Sequence, residues 1–381
     1  MKITDAWLTD PPLKAVFAAF EAAGFRILMV GGCVRDAILR EPVGDIDLST
    51  DAPPDQMIAL AKEAGLKSIP TGLDHGTVTI VCDGVPFEIT TFRTDVETFG
   101  RHARVVFTDD IAQDARRRDF TMNALYAGSD GTVVDPLGGL PDVLARRVRF
   151  IEDPDLRIRE DYLRILRFFR FNARYGSQQN GLDADGLDAI ARNLDGLGGL
   201  ARERIGQEVL KLLGASSPAI AVAAMRQSGV LAQVLPGGDD TALGPLIHLE
   251  EQFGLESNAI RRLCALGGQE VADHLRLSKT QTKTLALLTS EIGTMTGAGE
   301  LGYRLGAEIA LDVLLLRSAV LQMPMAQDAI PKIHVGQSAK FPVSAADLMP
   351  ALAGSALGAK LKELEQRWIA SEFTLSKEEL L

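Results

Sequence analysis

Cysteine is scarce in this 381-residue chain, and its three copies, Cys33, Cys82 and Cys264, lie far apart. With no CxxC pair and no zinc-type spacing, a disulfide framework and a zinc site are both excluded, and a reduced, cytoplasmic setting is expected. The five histidines are scattered and form no ligand cluster. No run of about 18 apolar residues occurs, so no transmembrane helix is expected. The opening MKITDAWLTDPP has no basic region ahead of an apolar stretch, so no secretory signal is expected either. GxGxxG and GxxxxGK[ST] are both missing, which leaves a dinucleotide fold or a P-loop unsupported. Positive charge is outweighed: 40 Lys and Arg stand against 51 Asp and Glu, a net −11, which argues against bulk affinity for nucleic acid. No internal repeat or low-complexity tract is evident. What remains is 46% hydrophobic, enough for roughly two to four domains with cores of their own.

The chain is organised around residues 27–50, ILMVGGCVRDAILREPVGDIDLST. Ile27 to Val30 have the length and branching of a buried strand. Gly31-Gly32 permit a sharp turn and the close approach of a ligand to the backbone. Cys33 to Arg40 read as a short helix stopped by Pro42 and Gly44. A second strand then carries Asp45 and Asp47, two residues apart and therefore on one face, roughly 7 Å from each other. Paired carboxylates hold hard, oxygen-seeking cations such as Mg²⁺. Beside a phosphate-sized glycine turn and Arg35, they point to metal-assisted phosphoryl or nucleotidyl transfer. Each part alone has a plainer reading, a simple turn or a pair of solvated aspartates. The combination carries the inference.

Around this stretch, residues 11–23 read as a helix capped by Asp10, and Pro53 to Ala64 as another. A hairpin follows, Thr77–Cys82 and Val85–Phe92 about the turn Asp83-Gly84. Pro86 argues for an edge position, at least near the start of the second strand. On that strand Phe87, Ile89 and Thr91 share one face, and Glu88 takes the other. Glu88 can therefore join the aspartates or simply face solvent. Residues 94–108 lack periodicity and read as a mobile loop. Ile111 to Ala127 reads as helical, with Arg118-Asp119 ahead of an apolar run and Asn123 an unusual polar residue inside it. From about residue 155 the pattern turns all-helical. Glu160–Tyr175 reads as one helix on which Asp161, Arg164 and Arg167 lie close together, an arrangement that also fits a simple intrahelical ion pair. Arginine recurs at 146, 147, 149, 157, 159, 164, 167, 170 and 174, a local basic stripe on an acidic protein.

Five stretches now stand in order: the glycine pair, DIDLST, RRRDFTMNALY, EDYLRILRFFRF and ARERIGQEVLKLL. In that order they resemble the class II tRNA nucleotidyltransferases and their bacterial poly(A) polymerase relatives, within the polymerase-β-like superfamily. The likeness covers roughly residues 27–213. The end of the chain also resembles the tail of bacterial CCA-adding enzymes, departing at LAGSALG where relatives often have a Gly-Pro-rich turn. The signature of a His-Asp phosphohydrolase domain is missing. The resemblance implies an α+β fold: a nucleotidyltransferase head over 1–139 with a small mixed sheet, then an all-α neck (140–213), body (214–270) and tRNA-binding tail (271–381). It implies catalysis by Asp45, Asp47 and Glu88, with Mg²⁺ on Asp45 and Asp47. Gly32 and Arg35 would meet the nucleotide's triphosphate, with Gly31 and Arg118 also binding the nucleotide. Asp161 and Arg164 would read the base edge, with Arg167 and Arg170 nearby, and Glu203 and Arg204 would brace that helix.

The implied reaction is template-independent addition of CCA to tRNA 3′ ends from CTP and ATP. Asp accepts from the exocyclic amine of cytosine or adenine, whereas uracil and guanine present a carbonyl there. Such contacts discriminate by about 1–3 kcal/mol. The partners expected are tRNA, ATP and CTP, with no membrane; the oligomeric state stays open. The alternatives are a poly(A) polymerase, an enzyme adding only CC or only A, and a catalytically silent RNA- or nucleotide-binding protein. The family's CC-adding members have a shortened loop ahead of RRDF, and the loop at 94–108 is retained here.

Overall fold

The computed structural model describes residues 1–99, 102–349 and 351–381. Gly100 and Arg101, within the loop expected at 94–108, lie outside them. The chain divides into two compact units, Met1–Val234 and Leu235–Leu381.

In the first unit the strands are β1 (Ile27–Val30), β2 (Asp47–Thr50), β3 (Lys67–Gly72), β4 (Thr77–Cys82), β5 (Val85–Thr91), β6 (Arg93–Phe99), β7 (His102–Phe107), β8 (Tyr126–Ala127) and β9 (Val133–Val134). Seven of them form a mixed sheet in the order β3-β4-β5-β2-β1-β8-β9. Only β2 and β5 run parallel, and their register sets Asp47 beside Glu88. The alternation along β5 is as expected: Phe87, Ile89 and Thr91 are buried and Glu88 is exposed. β5 lies between β4 and β2, but near its start, where Pro86 lies, only β4 pairs with it, so the expected edge character holds there. Pairing with β2 begins only at Glu88, so the missing N–H of Pro86 falls before the shared stretch.

The expected loop at 94–108 is a correction. Arg93–Phe99 and His102–Phe107 pair as a two-stranded antiparallel ribbon. Its stem is fixed at both ends. The Arg93 guanidinium donates to the His75 carbonyl. Phe107 packs over Gly76, where φ is +75° and an added Cβ would stand 2.6 Å from the ring.

The helices of this unit are α1 (Pro11–Ala22), α2 (Gly32–Leu39), α3 (Pro54–Glu63), α4 (Ile111–Arg116), α5 (Leu140–Leu144), α6 (Pro154–Glu160), α7 (Leu163–Tyr175), α8 (Ala184–Arg192), α9 (Arg202–Leu213), α10 (Ala219–Gln227) and α11 (Val230–Val234). Asp10 stands at the N-cap of α1, but its side chain makes no capping bond. The helical reading of 111–127 holds only for α4; a 3₁₀ turn over Thr121–Asn123 and strand β8 follow. The single helix expected over 160–175 is broken. Asp161 is extended (φ −153°, ψ 104°), and its carboxylate accepts from the Leu163 N–H, starting α7 afresh. A shared aromatic core seats α7 on the head: Phe150 stacks on Phe168 at 5.4 Å between ring centroids, and Phe120 meets Phe171 at 5.2 Å.

The second unit is helical: α12 (Leu243–Gln252), α13 (Ala259–Leu266), α14 (Val271–His274), α15 (Lys279–Ile292), α16 (Ala298–Leu305), α17 (Ala307–Leu321), α18 (Ala329–Ser338), α19 (Ala345–Leu348), α20 (Gly354–Ala370) and α21 (Lys377–Leu380). At its centre Glu250 and Asp312 are buried with Arg261 and Arg262; Arg261 bridges both acids at 2.6–2.7 Å. A smaller apolar cluster joins Leu364 and Trp368 of α20 to Val343 and Leu380. No helix among the described residues is long and apolar enough to cross a membrane.

Candidate active site

A cavity of about 1060 Å³ opens in the first unit, lined by the Gly31 turn, α2, the start of β2, the 117–123 segment, α7 and the end of α9. Gly31 holds φ at +72°. A Cβ there would sit 3.5 Å from a terminal nitrogen of Arg118 and 3.6 Å from the Asn123 carbonyl. Those are ordinary van der Waals distances, so the positive φ is what calls for glycine. The turn delivers the first residues of α2 to the cavity, and first-turn N–H groups have no partner within their own helix.

Asp45 and Asp47 line the same cavity. Asp45 lies just ahead of β2, not on it. Glu88 stands beside Asp47 on β5, exposed, although it is not part of the cavity wall. Partial burial raises the Asp47 carboxyl above the usual carboxylate range, Glu88 and Asp45 push it the same way, and Arg118 opposes them. The Asp47 carboxylate therefore feels both of the others, and among the described residues none of the three has an ion pair. No three His, Cys, Asp or Glu side chains among the described residues form a ready ligand set. That is compatible with Mg²⁺, which keeps several waters and takes one or two carboxylates plus substrate phosphates. Cys33 also borders the cavity, but burial pushes its thiol up to about 12, so it is neutral near pH 7 and unsuited to nucleophilic work.

The floor is a continuous polar chain. Arg35 is 5% exposed and donates to Asp36, to the Asn123 side-chain oxygen (2.5 Å) and to the Tyr175 hydroxyl (2.6 Å). Its guanidinium also lies 3.9 Å from the centre of the Tyr175 ring. Asn123 donates to Asp119 (2.9 Å), and Asp119 accepts from Arg167 (2.7 Å). Burial works against the Asp119 charge, yet Arg167 holds its carboxyl below the ordinary range. Arg35, expected at the triphosphate, is thus chiefly a tie between α2 and α7, with its remaining N–H groups at the cavity wall.

Asp114 forms a second hub. It is fully buried and accepts from Arg117 (2.8 Å), Arg118 (3.1 Å), the Tyr126 hydroxyl (2.6 Å) and the backbone N–H of Arg93 (3.3 Å). Burial opposes its charge, but Arg118 and Arg117 hold the carboxyl far below the ordinary range. One carboxylate therefore connects the ribbon stem to two arginines of the cavity.

Asp161 and Arg164 both line the cavity but do not pair with each other. Asp161 accepts from Arg204 of α9 at 2.6 Å. Arg164 pairs with Glu160 and donates to the carbonyls of Arg157 (2.8 Å) and Arg117 (3.0 Å). The simple intrahelical pair is ruled out, and a brace from Arg204 is what the ERI stretch implied. Arg167 pairs with Asp119 and Arg170 with Glu208 (2.8 Å). The basic stripe is largely neutralised in the same way, Arg146 by Glu41, Arg149 by Asp142 and Arg159 by Asp155. Sequence reasoning missed Asp114, Glu160, Glu208 and Tyr175. A polar or acidic residue inside an apolar helical run was the available signal, and Asn123 was noticed on that ground.

The sheet, the glycine turn and the paired aspartates define a nucleotidyltransferase-type head, and residues 27–149 match the family described as Poly A polymerase head domain. Residues 182–241 match the one described as probable RNA and SrmB-binding site of polymerase A. The chain is 43% identical to the mitochondrial CCA tRNA nucleotidyltransferase 1 of Danio rerio over 195 residues, 51% of this chain and 45% of that protein. It thus spans about half the length of the mitochondrial relatives it matches. With the CCA-adding enzyme of Limosilactobacillus fermentum it shares 30% identity over 100% of its own length and 98% of the relative. The crystal structure of the Bacillus stearothermophilus CCA-adding enzyme in complex with CTP superimposes with a TM-score of 0.71 at 25% identity, covering 97% of this chain and 96% of that one. The chain belongs to the CCA-adding enzyme family.

Proposed function

We propose that this chain adds CCA to the 3′ end of tRNA from CTP and ATP, releasing pyrophosphate. The observation that carries the reading is one cavity in which the Gly31 turn, Asp45 and Asp47, and the pair Asp161 and Arg164 all meet. Gly31, Gly32 and Arg118 receive the triphosphate, with Arg35, Arg167 and Arg170 at its border. Asp161 keeps acceptor capacity beyond Arg204 and the Leu163 N–H, since a carboxylate offers about four lone-pair sites. It takes the exocyclic amine of cytosine or adenine, while spare N–H groups of Arg164 face ring nitrogen or carbonyl acceptors. Asp45 and Asp47, supported by Glu88, hold Mg²⁺, which supplies charge neutralisation at the phosphates and a more acidic attacking hydroxyl. The retained ribbon of β6 and β7 supports full CCA addition over CC addition alone. The division into head, neck, body and tail is part of the same proposal, as is a reducing, cytoplasmic setting for three separate buried thiols.

The test is incorporation of each NTP into tRNA transcripts ending before, within and after CC. The wild type should use CTP and then ATP and stop. Asp45→Ala and Asp47→Ala should each lose incorporation by at least about a thousandfold, a deficit of roughly 4 kcal/mol in transition-state stabilisation, with unchanged circular dichroism. Near-normal turnover in either variant would overturn the carboxylate assignment. Asp161→Ala should lose more discrimination against UTP and GTP than nucleotide affinity.

A further inference from the structure

The cavity has eight cationic side chains in its wall, and six of them face acids of the protein itself. Arg35 is held by Asp36, Arg117 and Arg118 by Asp114, Arg164 by Glu160, Arg167 by Asp119 and Arg170 by Glu208. The other two, Arg174 and Lys211, are exposed and, among the described residues, have no acid within ion-pair distance. Arg174 lies over the Tyr175 ring, 5.1 Å from its centroid. The two residues come from packed helices, α7 and α9. They sit in the last turns of those helices, about 15 Å along α7 from Arg164 and about 10 Å along α9 from Arg204. They therefore stand at the opposite end of the helix pair from Asp161.

A paired cation offers a polyanion little net attraction, because its field is already cancelled by the neighbouring carboxylate. An unpaired one keeps its full charge. We infer that Arg174 and Lys211 form a phosphate-binding pair in the cavity wall, at the far end of the helix pair from the base-reading residues. This rests on the nucleotidyl-transfer reading only for the source of the phosphate: the RNA backbone near its 3′ end, or the triphosphate of the incoming nucleotide. A plainer role exists for each residue, since a cation in a helix's last turn interacts favourably with the macrodipole. Lys62 provides the control. It too is exposed in the last turn of a helix, α3, and does not line the cavity.

The experiment uses the full chain with Arg174→Gln, Lys211→Gln and Lys62→Gln, and with the conservative Arg174→Lys and Lys211→Arg. Binding of a fluorescent tRNA transcript lacking CCA is followed across a salt titration, and inorganic tripolyphosphate competes in a second series. Michaelis constants for transcript and CTP are measured alongside. If the phosphate is the RNA's, each Gln variant should weaken transcript binding about fivefold to twentyfold. It should also flatten the log-log salt slope by about 0.7–0.9. If it is the nucleotide's, tripolyphosphate affinity and the CTP Michaelis constant should move instead. The conservative variants should recover most of the loss in either case. Behaviour of both Gln variants indistinguishable from Lys62→Gln in every series would overturn the pair. The binding series stand without turnover, so a wild type that binds transcript yet transfers no nucleotide would refute the proposed reaction and leave the phosphate pair testable.

Discussion

Asp114 concentrates more of the site's geometry than either Asp161 or Arg164, because four partners converge on its two oxygens. Replacing it by Asn keeps the shape and removes the charge. Two arginines would then be left partly buried without an anion, an error that typically costs about 3–5 kcal/mol. We expect Asp114→Asn to lower the melting temperature by several degrees at pH 7 and to weaken triphosphate binding through a misplaced Arg118. The pH dependence follows from the depressed carboxyl. A lowered folded-state pKa contributes stability that is full above the unfolded value, about 3.9. It is lost as pH falls toward the folded value. The gap in melting temperature between wild type and variant should therefore be widest above pH 5 and narrow below pH 4. A gap independent of pH would show that Asp114 acts by shape and not by charge.

The β6–β7 ribbon is the element that the proposed function makes responsible for separating full CCA addition from CC addition alone. A pocket that accepts cytosine must admit the larger adenine with the same Asp161 and Arg164, so some part has to shift between the additions. The ribbon is tied to the cavity arginines through Arg93 and Asp114 and is seated on Gly76 by Phe107. Removing Thr98–Arg104 should leave C addition largely intact and stop products at CC on a sequencing gel. Gly76→Ala should do the same more mildly, since the new methyl forces Phe107 to move and strains a positive φ. Full-length product at the wild-type rate from both would refute the switching role. The signature strand, turn and short helix were legible because glycine and alternating apolar residues act locally. The ribbon was not: its residues pair with each other and with His75 and Asp114, contacts that no periodicity reports. The break at Asp161 was partly legible, an Asp two residues ahead of an apolar run being a capping signal. Its partner Arg204 lies 43 positions away, so no spacing reports it, and only the resemblance carried by the ERI stretch pointed to it.

For the molecule as a whole, net charge and local charge pull apart. An excess of 11 negative charges repels RNA at long range, while most arginines in the 146–174 stripe are matched by an acid. Binding of tRNA should therefore depend on salt, but weakly. A log-log slope no steeper than about −5 is expected, in contrast to about −10 for a protein that makes many phosphate contacts. A steep slope would mean that the ion pairs open to the RNA.

The parallel pairing of β2 with β5 governs the order in which the head acquires its chemistry. β3, β4 and β5 can zip locally, with the Asp83-Gly84 turn closing the β4–β5 hairpin. Asp47, by contrast, reaches Glu88 only after the whole intervening chain has been laid down. Loop closure of that length is slow compared with hairpin formation. On dilution from denaturant, far-ultraviolet dichroism should return before nucleotidyl transfer, and the lag should lengthen when the 51–76 connection is extended by a flexible insert. During that interval the chain would be folded in outline, with Asp47 and Glu88 not yet side by side.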